Sequence, residues 1–501
     1  MTFEIVFVLL SLLGMMAALI ADKMRPGMVL FSVVVLFLCV GILTPKEMLE
    51  GFSNKGMITV ALLFLVSEGI RQSGTLGQVI KKLLPQGKTT VFKAQLRILP
   101  SVAFISAFLN NTPVVVIFAP IIKHWAKSVK LPATKFLIPL SYVTILGGIC
   151  TLIGTSTNLV VHGMILEAGY EGFTMFELGK VGIFIAIAGI IYLFIFSKRL
   201  LPDARPDTAV PDEEVEEGEK LHRVEAVLGA RFPGINKKLS DFNFQRHYGA
   251  EVKEIKTRNG QRYVDHLEDV VLREGDTLVV MADDTFIPTW GESSVFVLLT
   301  NGNDPDTSGK KKRWLALILL VLMIVGATVG ELPATKEMFP DIKLDMFFFV
   351  CITTIIMAWT NIFPARKYTK YISWDILITI ACAFAISKAM VNSGVADCVA
   401  GFIIGLSDDY GPHVLLAILF VITNLFTELI TNNAAAALAF PLALSISAQL
   451  GVSPTPFFVV ICMAASASFS TPIGYQTNLI VQGIGNYKFT DFVRIGLPLN
   501  I

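Results

Sequence analysis

Residues 107–120 read AFLNNTPVVVIFAP, and the fold turns on them. Two amides and a hydroxyl, Asn110-Asn111-Thr112, interrupt a run that otherwise has the composition of a membrane helix, and Pro113 follows at once. Backbone that leaves its helix inside hydrocarbon has to find hydrogen-bond partners locally or line a polar cavity. The chain makes the same break again at 426–441, FTELITNNAAAALAFP. Two more apolar regions are broken by 151–158, TLIGTSTN, and by 471–478, TPIGYQTN. Interrupted apolar segments at matching positions in two halves of a chain are how many secondary transporters build a binding site.

The two halves are copies. Gly154, Asn158 and Gly163 recur as Gly474, Asn478 and Gly483 at an offset of 320, as do Ser67, Ser73 and Gly74 in Ser387, Ser393 and Gly394. Asn111 and Pro120 recur as Asn432 and Pro441 at an offset of 321. The last helix of the first copy reaches Ser197, whereas the second copy has only 491–501, DFVRIGLPLNI, and reads as cut short.

Composition places these segments in a bilayer. Of 501 residues, 53% are hydrophobic and 16% charged, with a mean hydropathy of +0.65; a soluble chain has roughly a quarter charged residues. The net charge of +1 gives no reason to expect a nucleic-acid partner. The six cysteines are scattered without CxxC spacing, which argues against a disulfide framework or a zinc site. The apolar run at 3–20 has no basic residue before it and reads as a retained membrane helix. Further spans are expected at 27–43, 57–71, 136–150, 181–197, 314–330, 344–360 and 374–390, with the broken regions at 97–122 and 412–442.

Between Pro202 and Lys310 the character changes. An acidic stretch, DARPDTAVPDEEVEEGEK at 203–220, precedes short alternating runs such as 223–228 and 277–282, which read as strands of a small soluble domain. Lys198-Arg199 and Lys310 to Arg313 flank this insert, so the positive-inside rule puts it in the cytoplasm. The basic connections at 22–25, 71–97, 123–135 and 361–373 then share its side, provided 97–122 is a hairpin that enters and leaves on that side. The outer loops at 164–180 and 392–411 carry Glu167, Glu171, Glu177, Asp397, Asp408 and Asp409, with Lys180 as the only cation. The expected fold is an all-α polytopic protein of the cell membrane, in contact with lipid. It has two inverted repeats, each with a re-entrant hairpin and a broken helix, and a small cytoplasmic α+β domain between them. The expected divisions are 1–200 for the first repeat, 201–221 for the linker, 222–300 for the insert, 301–313 for a second linker and 314–501 for the second repeat.

A hairpin tip exposes the carbonyl end of one helix and the amide end of the next; the first suits a cation and the second an anion. Thr112 is expected to cap the second arm, with Pro113 at its first helical position. The breaks add hydroxyls, amides and close-approach glycines, but no pair of carboxylates or of basic residues. An anion there would be held by neutral donors, helix ends and co-bound cations, which points to cation-coupled anion transport and assigns no catalytic residue. Glu68 and Glu428 are intramembrane carboxylates; Glu68 has Arg71 within one turn as a partner, Lys388 occupies its equivalent position, and His162 reads as a packing residue. A gated channel would need a TVGYG-like filter, and a proton antiporter paired intramembrane aspartates; neither is in the sequence.

At these residues the chain resembles the divalent anion:sodium symporter family of the ion-transporter superfamily. That family carries a Ser-Asn-Thr tip in each repeat, where this chain has Asn110-Asn111-Thr112 and Thr431-Asn432-Asn433. The central Asn matches in both, the first residue departs in both, and the third departs in the second copy. The forms LNNTP and TNNAAAAL look more like the branch that includes sulfate transporters. The insert, HRVEAVLGARFPGINKKLSDFNFQRHYGAEVKEIKTRNG at 222–260 with EDVVLREGDTLVVMADD at 268–284, resembles a TrkA-C (RCK-C) domain. The resemblance implies Na+ as coupling ion at two sites, one of Ser106, Asn110, Asn111 and Gly154, the other of Thr427, Ile430, Asn432 and Gly474. It implies a small divalent anion, sulfate foremost and a dicarboxylate or other oxyanion otherwise, held by Asn111, Thr112, Asn432, Asn433, Thr157 and Thr471. It also implies a homodimer in which the hairpins and broken helices move as one body against a scaffold.

Overall fold

The computed structural model describes residues 2–21, 24–85, 87–203, 222–229, 231–257, 261–283, 286, 290, 295–300, 310–339, 342–405 and 411–500. Most of the acidic linker, residues 301–309 of the second linker, and Asp408 and Asp409 lie outside the described residues.

Nine principal helices precede the insert: α1 (Phe3–Ala21), α2 (Pro26–Val40), α3 (Lys55–Gln72), α4 (Thr75–Leu83), α5 (Val91–Ser106), α6 (Asn111–Ser128), α7 (Leu137–Gly148), α8 (Ser156–Glu167) and α9 (Gly179–Leu200). Nine follow it in the same succession: α10 (Lys310–Gly330), α11 (Met346–Trp359), α12 (Trp374–Asn392), α13 (Val395–Gly405), α14 (Pro412–Leu429), α15 (Asn432–Leu450), α16 (Thr455–Ser466), α17 (Gln476–Gly485) and α18 (Phe489–Asn500). Helix αn of the first set thus has its counterpart nine labels on, as the offsets require. α10 starts at Lys310, so the basic cluster expected to close the linker is the first turn of a helix. Among the described residues seven helices are long and apolar enough to span a bilayer, and the large side chains they turn outward include Leu10, Phe184 and Leu425. The molecule is a polytopic helical membrane protein.

Packing follows the same duplication. α2 lies on α12 as α11 lies on α3; α5 lies on α7 as α14 lies on α16. Across the halves, the second hairpin arm α6 packs on the broken-helix segment α17, and α15 packs on α8. Backbones touch where side chains vanish: a Cβ on Gly147 of α7 would sit 2.1 Å from the Ala103 carbonyl oxygen of α5, the small-residue contact by which membrane helices approach. Glu68 takes two guanidinium bonds from Arg71, at 2.6 and 2.8 Å, and one from Gln72 at 2.6 Å, so its charge is neutralised within its own helix as expected. The buried ammonium of Lys135 donates to the Lys198 carbonyl at 2.7 Å and also to that of Leu201, satisfying orphan acceptors at the end of α9.

The insert is a five-stranded antiparallel sheet, in the order β3-β2-β4-β1-β5. Its strands are β1 (His222–Leu228), β2 (Glu251–Lys256), β3 (Arg262–Tyr263), β4 (Thr277–Ala282) and β5 (Phe296–Thr300), so both expected strands are present. A separate aromatic core of Phe232, Phe242, Phe244, Tyr248 and Phe296 covers the sheet. The insert sits on the second hairpin arm α6 and the broken-helix segment α17. Lys123 of α6 pairs with Glu225 of β1 at 3.1 Å, with Lys256 at 3.5 Å from the same carboxylate. The turn at Gly275 (φ +85°) lies against Leu479 of α17, and Thr277 lies against Gly483. Burial pushes the Glu225 carboxyl up, but Lys123 and Lys256 outweigh it and hold it below the usual range. A folded-state value lower than that of the unfolded chain means the pair stabilises at neutral pH, and the gain is lost as pH falls through the folded value. Glu225→Gln leaves the half-buried Lys123 ammonium facing a neutral amide and the buried Lys256 ammonium with only Glu254 at 4.0 Å, and is expected to cost about 3 kcal/mol. Faster proteolysis of the insert at pH 7, with little further change at acid pH, is the expected readout.

Candidate functional site

The tip of the first hairpin is residues 107–110, between α5 and α6. α6 begins at Asn111 with Asn110 as its cap residue, so Thr112 lies in the first turn and does not cap it. Pro113 is tolerated there because the first-turn amides have no intrahelical partner. The second copy differs: Thr431 is the cap of α15, and its hydroxyl accepts from the Ala434 amide at 3.4 Å.

Within each half the tip is tied to its own broken helix by the same bonds. Ser106 Oγ lies 2.8 Å from Asn111 Oδ1 and 2.9 Å from the Thr144 carbonyl. Thr427 Oγ1 lies 2.8 Å from Asn432 Oδ1 and 2.6 Å from the Ala465 carbonyl. Asn158 Nδ2 donates to the Thr151 carbonyl at 2.9 Å, and Asn478 Nδ2 to that of Thr471 at 3.1 Å, so each amide spans the break that precedes its helix. Glycine is required at both breaks. A Cβ on Gly154 would lie 2.4 Å from the Gly148 carbonyl oxygen, and one on Gly474 would lie 1.8 Å from Ser468 Oγ and 3.1 Å from the Thr427 carbonyl oxygen.

Between the halves each tip meets the other half's broken helix. Thr112 Oγ1 donates to Gln476 Oε1 at 3.3 Å; Ser156 and Thr157 donate to Asn433 Oδ1, each at 3.3 Å. By the offsets these two contacts are copies of each other, since Thr112 corresponds to Asn433 and Gln476 to Ser156. At the centre stands Tyr475. Its hydroxyl accepts from Asn111 Nδ2 at 2.6 Å, lies 3.2 Å from Thr155 Oγ1, and is within hydrogen-bonding reach of the Asn432 side chain. Gln476 also lines a cavity of about 200 Å³ between the insert and the start of α12, with Arg231, Lys370, Ser373 and Leu479 on its walls.

The expected site residues thus divide. Asn111, Thr112, Asn432, Asn433 and Thr157 converge between the halves; Ser106, Thr427, Gly154 and Gly474 gather just behind the two tips. Asn110 lines a crevice beside α3 with Ser67 and Ser156. Thr471 accepts from the Gly474 amide at 3.2 Å within its own break. Ile430 is the extended residue linking α14 to the Thr431 cap. Glu428 accepts from the Ser470 amide at 2.9 Å and from Asn500 Nδ2 at 2.8 Å, bracing the second break against α18. Tyr475, Gln476, Ser156 and Ser468 were not singled out by sequence, although three of them lie in the quoted breaks.

The arrangement is a duplicated set of neutral oxygens and amides at the meeting of the two halves. The family model described as citrate transporter (CitMHS) matches residues 16–451 and 338–501, and the chain belongs to that family of membrane transporters. An uncharacterized transporter of Synechocystis sp. is 29% identical over 94% of this chain and 90% of its own length. One of Escherichia coli is 26% identical over 99% and 97%. Sodium/sulfate cotransporter 2 of Chlamydomonas reinhardtii is 30% identical over 56% of this chain, but only 31% of its own length.

Proposed function

We propose that the protein carries a small divalent anion, sulfate foremost, into the cell together with Na+. The crossed pair of tip contacts carries this reading: it makes one central site from both halves, and the half-sites behind the tips are separate from it. Ser106 and Thr427 engage the carbonyl oxygens of Asn111 and Asn432, which turns both amide nitrogens toward the centre as donors. A dianion held by neutral donors is costly to keep in a dry site, and cations bound behind the tips offset that cost. The buried oxygens Asn158 Oδ1 and Ser468 Oγ have no hydrogen-bond partner and stand beside the two breaks, as ligands of a small hard cation would. Relatives named sodium/sulfate cotransporters support the same pairing of ions.

In this reading the repeats are inverted and the first hairpin enters from the cytoplasmic side, where the insert lies. α5–α9 and α14–α18 move together against α1–α4 and α10–α13, and two copies associate through the latter set. Proteoliposomes should take up labelled sulfate in sodium and lose at least nine-tenths of that uptake in choline; undiminished uptake in choline would refute sodium coupling. The family's own name keeps citrate as the rival substrate. Competition by succinate, citrate, molybdate or thiosulfate separates the two.

A further inference from the structure

The two breaks, TLIGTSTN and TPIGYQTN, differ at three of eight positions. Two of the three differences, Thr155 against Tyr475 and Ser156 against Gln476, lie where the halves meet: Ser156, Gln476 and Tyr475 each bond to the opposing tip, and Thr155 lies against Tyr475. The duplication therefore keeps the same residues in the bonds that build each half-site, and keeps the contacts but changes the side chains where the halves meet. At the meeting point a phenol stands in place of a methyl-bearing hydroxyl, and only one of the two halves supplies it. A phenol ring is larger than the threonine side chain at the counterpart position. The Tyr475 oxygen accepts from Asn111 Nδ2 at 2.6 Å, and its own proton, which can go to Thr155 Oγ1 at 3.2 Å, is the one that an acceptor placed between the tips would take.

We propose that Tyr475 is the specificity-determining residue of the central site. It narrows the space between the tips to a compact tetrahedral oxyanion and donates to it, and so excludes elongated dicarboxylates. This rests on the anion-symport reading above. Size exclusion by an apolar wall discriminates weakly, but a donor left without its acceptor discriminates strongly. Tyr475 joins the two: a longer anion meets the ring, and a carboxylate pair with the wrong spacing leaves the hydroxyl unmatched. Thr155, its counterpart, shows what the position becomes without that constraint.

The test uses the full-length purified protein in sodium, titrated with sulfate, phosphate, succinate and citrate, and reads the anion-dependent rise in melting temperature. Wild type should respond best to sulfate. Tyr475→Phe keeps the ring and loses the hydroxyl; its sulfate affinity should fall about tenfold, the worth of one hydrogen bond to a charged group. Tyr475→Thr restores the symmetric residue; it should lose more than tenfold for sulfate and gain a response to succinate that wild type lacks. An unchanged ratio of sulfate to succinate affinity in Tyr475→Thr overturns the proposal. If that variant does not fold, Tyr475→Phe decides, and an unchanged sulfate affinity overturns it. A wild-type protein that prefers succinate or citrate leaves anion symport standing and removes this role of Tyr475. A wild-type protein that responds to none of the four anions removes both.

Discussion

Asn111→Ala and Asn432→Ala are each expected to reduce sulfate uptake at least a hundredfold and to leave the protein folded. Each side chain has two duties. Its oxygen sits beside the half-site behind the tip, and its nitrogen points to the centre. On the proposed reading, alanine removes a donor to the anion and an oxygen beside the cation together. Each loss is worth about tenfold or more, and the coupled site loses both. Folding should survive because the neighbouring hydroxyls keep a carbonyl partner, Thr144 for Ser106 and Ala465 for Thr427. Uptake per inserted protein, with an unchanged elution profile in detergent, is the measurement. Near-normal uptake by either variant would dismiss the site.

Adjacent glycines should separate folding from function. A Cβ at Gly147 would press at 2.1 Å on the Ala103 carbonyl oxygen, with the Ala103 carbon atoms at 2.8 Å. Backbone cannot swing aside as a side chain does, so Gly147→Ala should force α5 and α7 apart at about 3 kcal/mol or more. The gain in helix propensity, about 1 kcal/mol, is too small to offset this. A Cβ at Gly148 instead meets the Asn111 amide, at 2.6 Å from its oxygen. Gly148→Ala should therefore fold and fail to transport, with the Asn111 side chain pushed off its bond to Tyr475. Thermal unfolding of both variants beside uptake checks this. A stable, inactive Gly147→Ala or an unstable Gly148→Ala would show that the packing has been misread.

What the sequence displays and what it conceals follow from the range of the interactions. The breaks are legible because polar residues in an apolar run are rare and locally costly, and the offsets of 320 and 321 expose the duplication without any contact being known. In each half-site the tip pairs Ser106–Asn111 and Thr427–Asn432 are five positions apart, within one motif, so a family resemblance could imply them one by one. The crossed contacts could not. Thr112 and Gln476 are 364 positions apart, and nothing local to TPIGYQTN says which of its residues faces the opposing tip. Thr112 looked like a cap because Pro113 favours the first helical position, yet the chain turns helical two residues before the proline. The duplication itself hid Tyr475: attention falls on positions that match, and this one matters because it does not.

The seating of the insert bears on how its role can be studied. Gly275 and Thr277 cover Leu479 and Gly483 on α17, and Glu225 neutralises Lys123 on α6. Cutting the insert out would wet an apolar stripe of one site-bearing helix and strand a cation on the other. A truncated protein that no longer transports would then report damage to the proposed site on these helices, whatever the insert does in the intact chain. Single substitutions at the seam, with the sheet left whole, remove one contact at a time and keep the two helices covered.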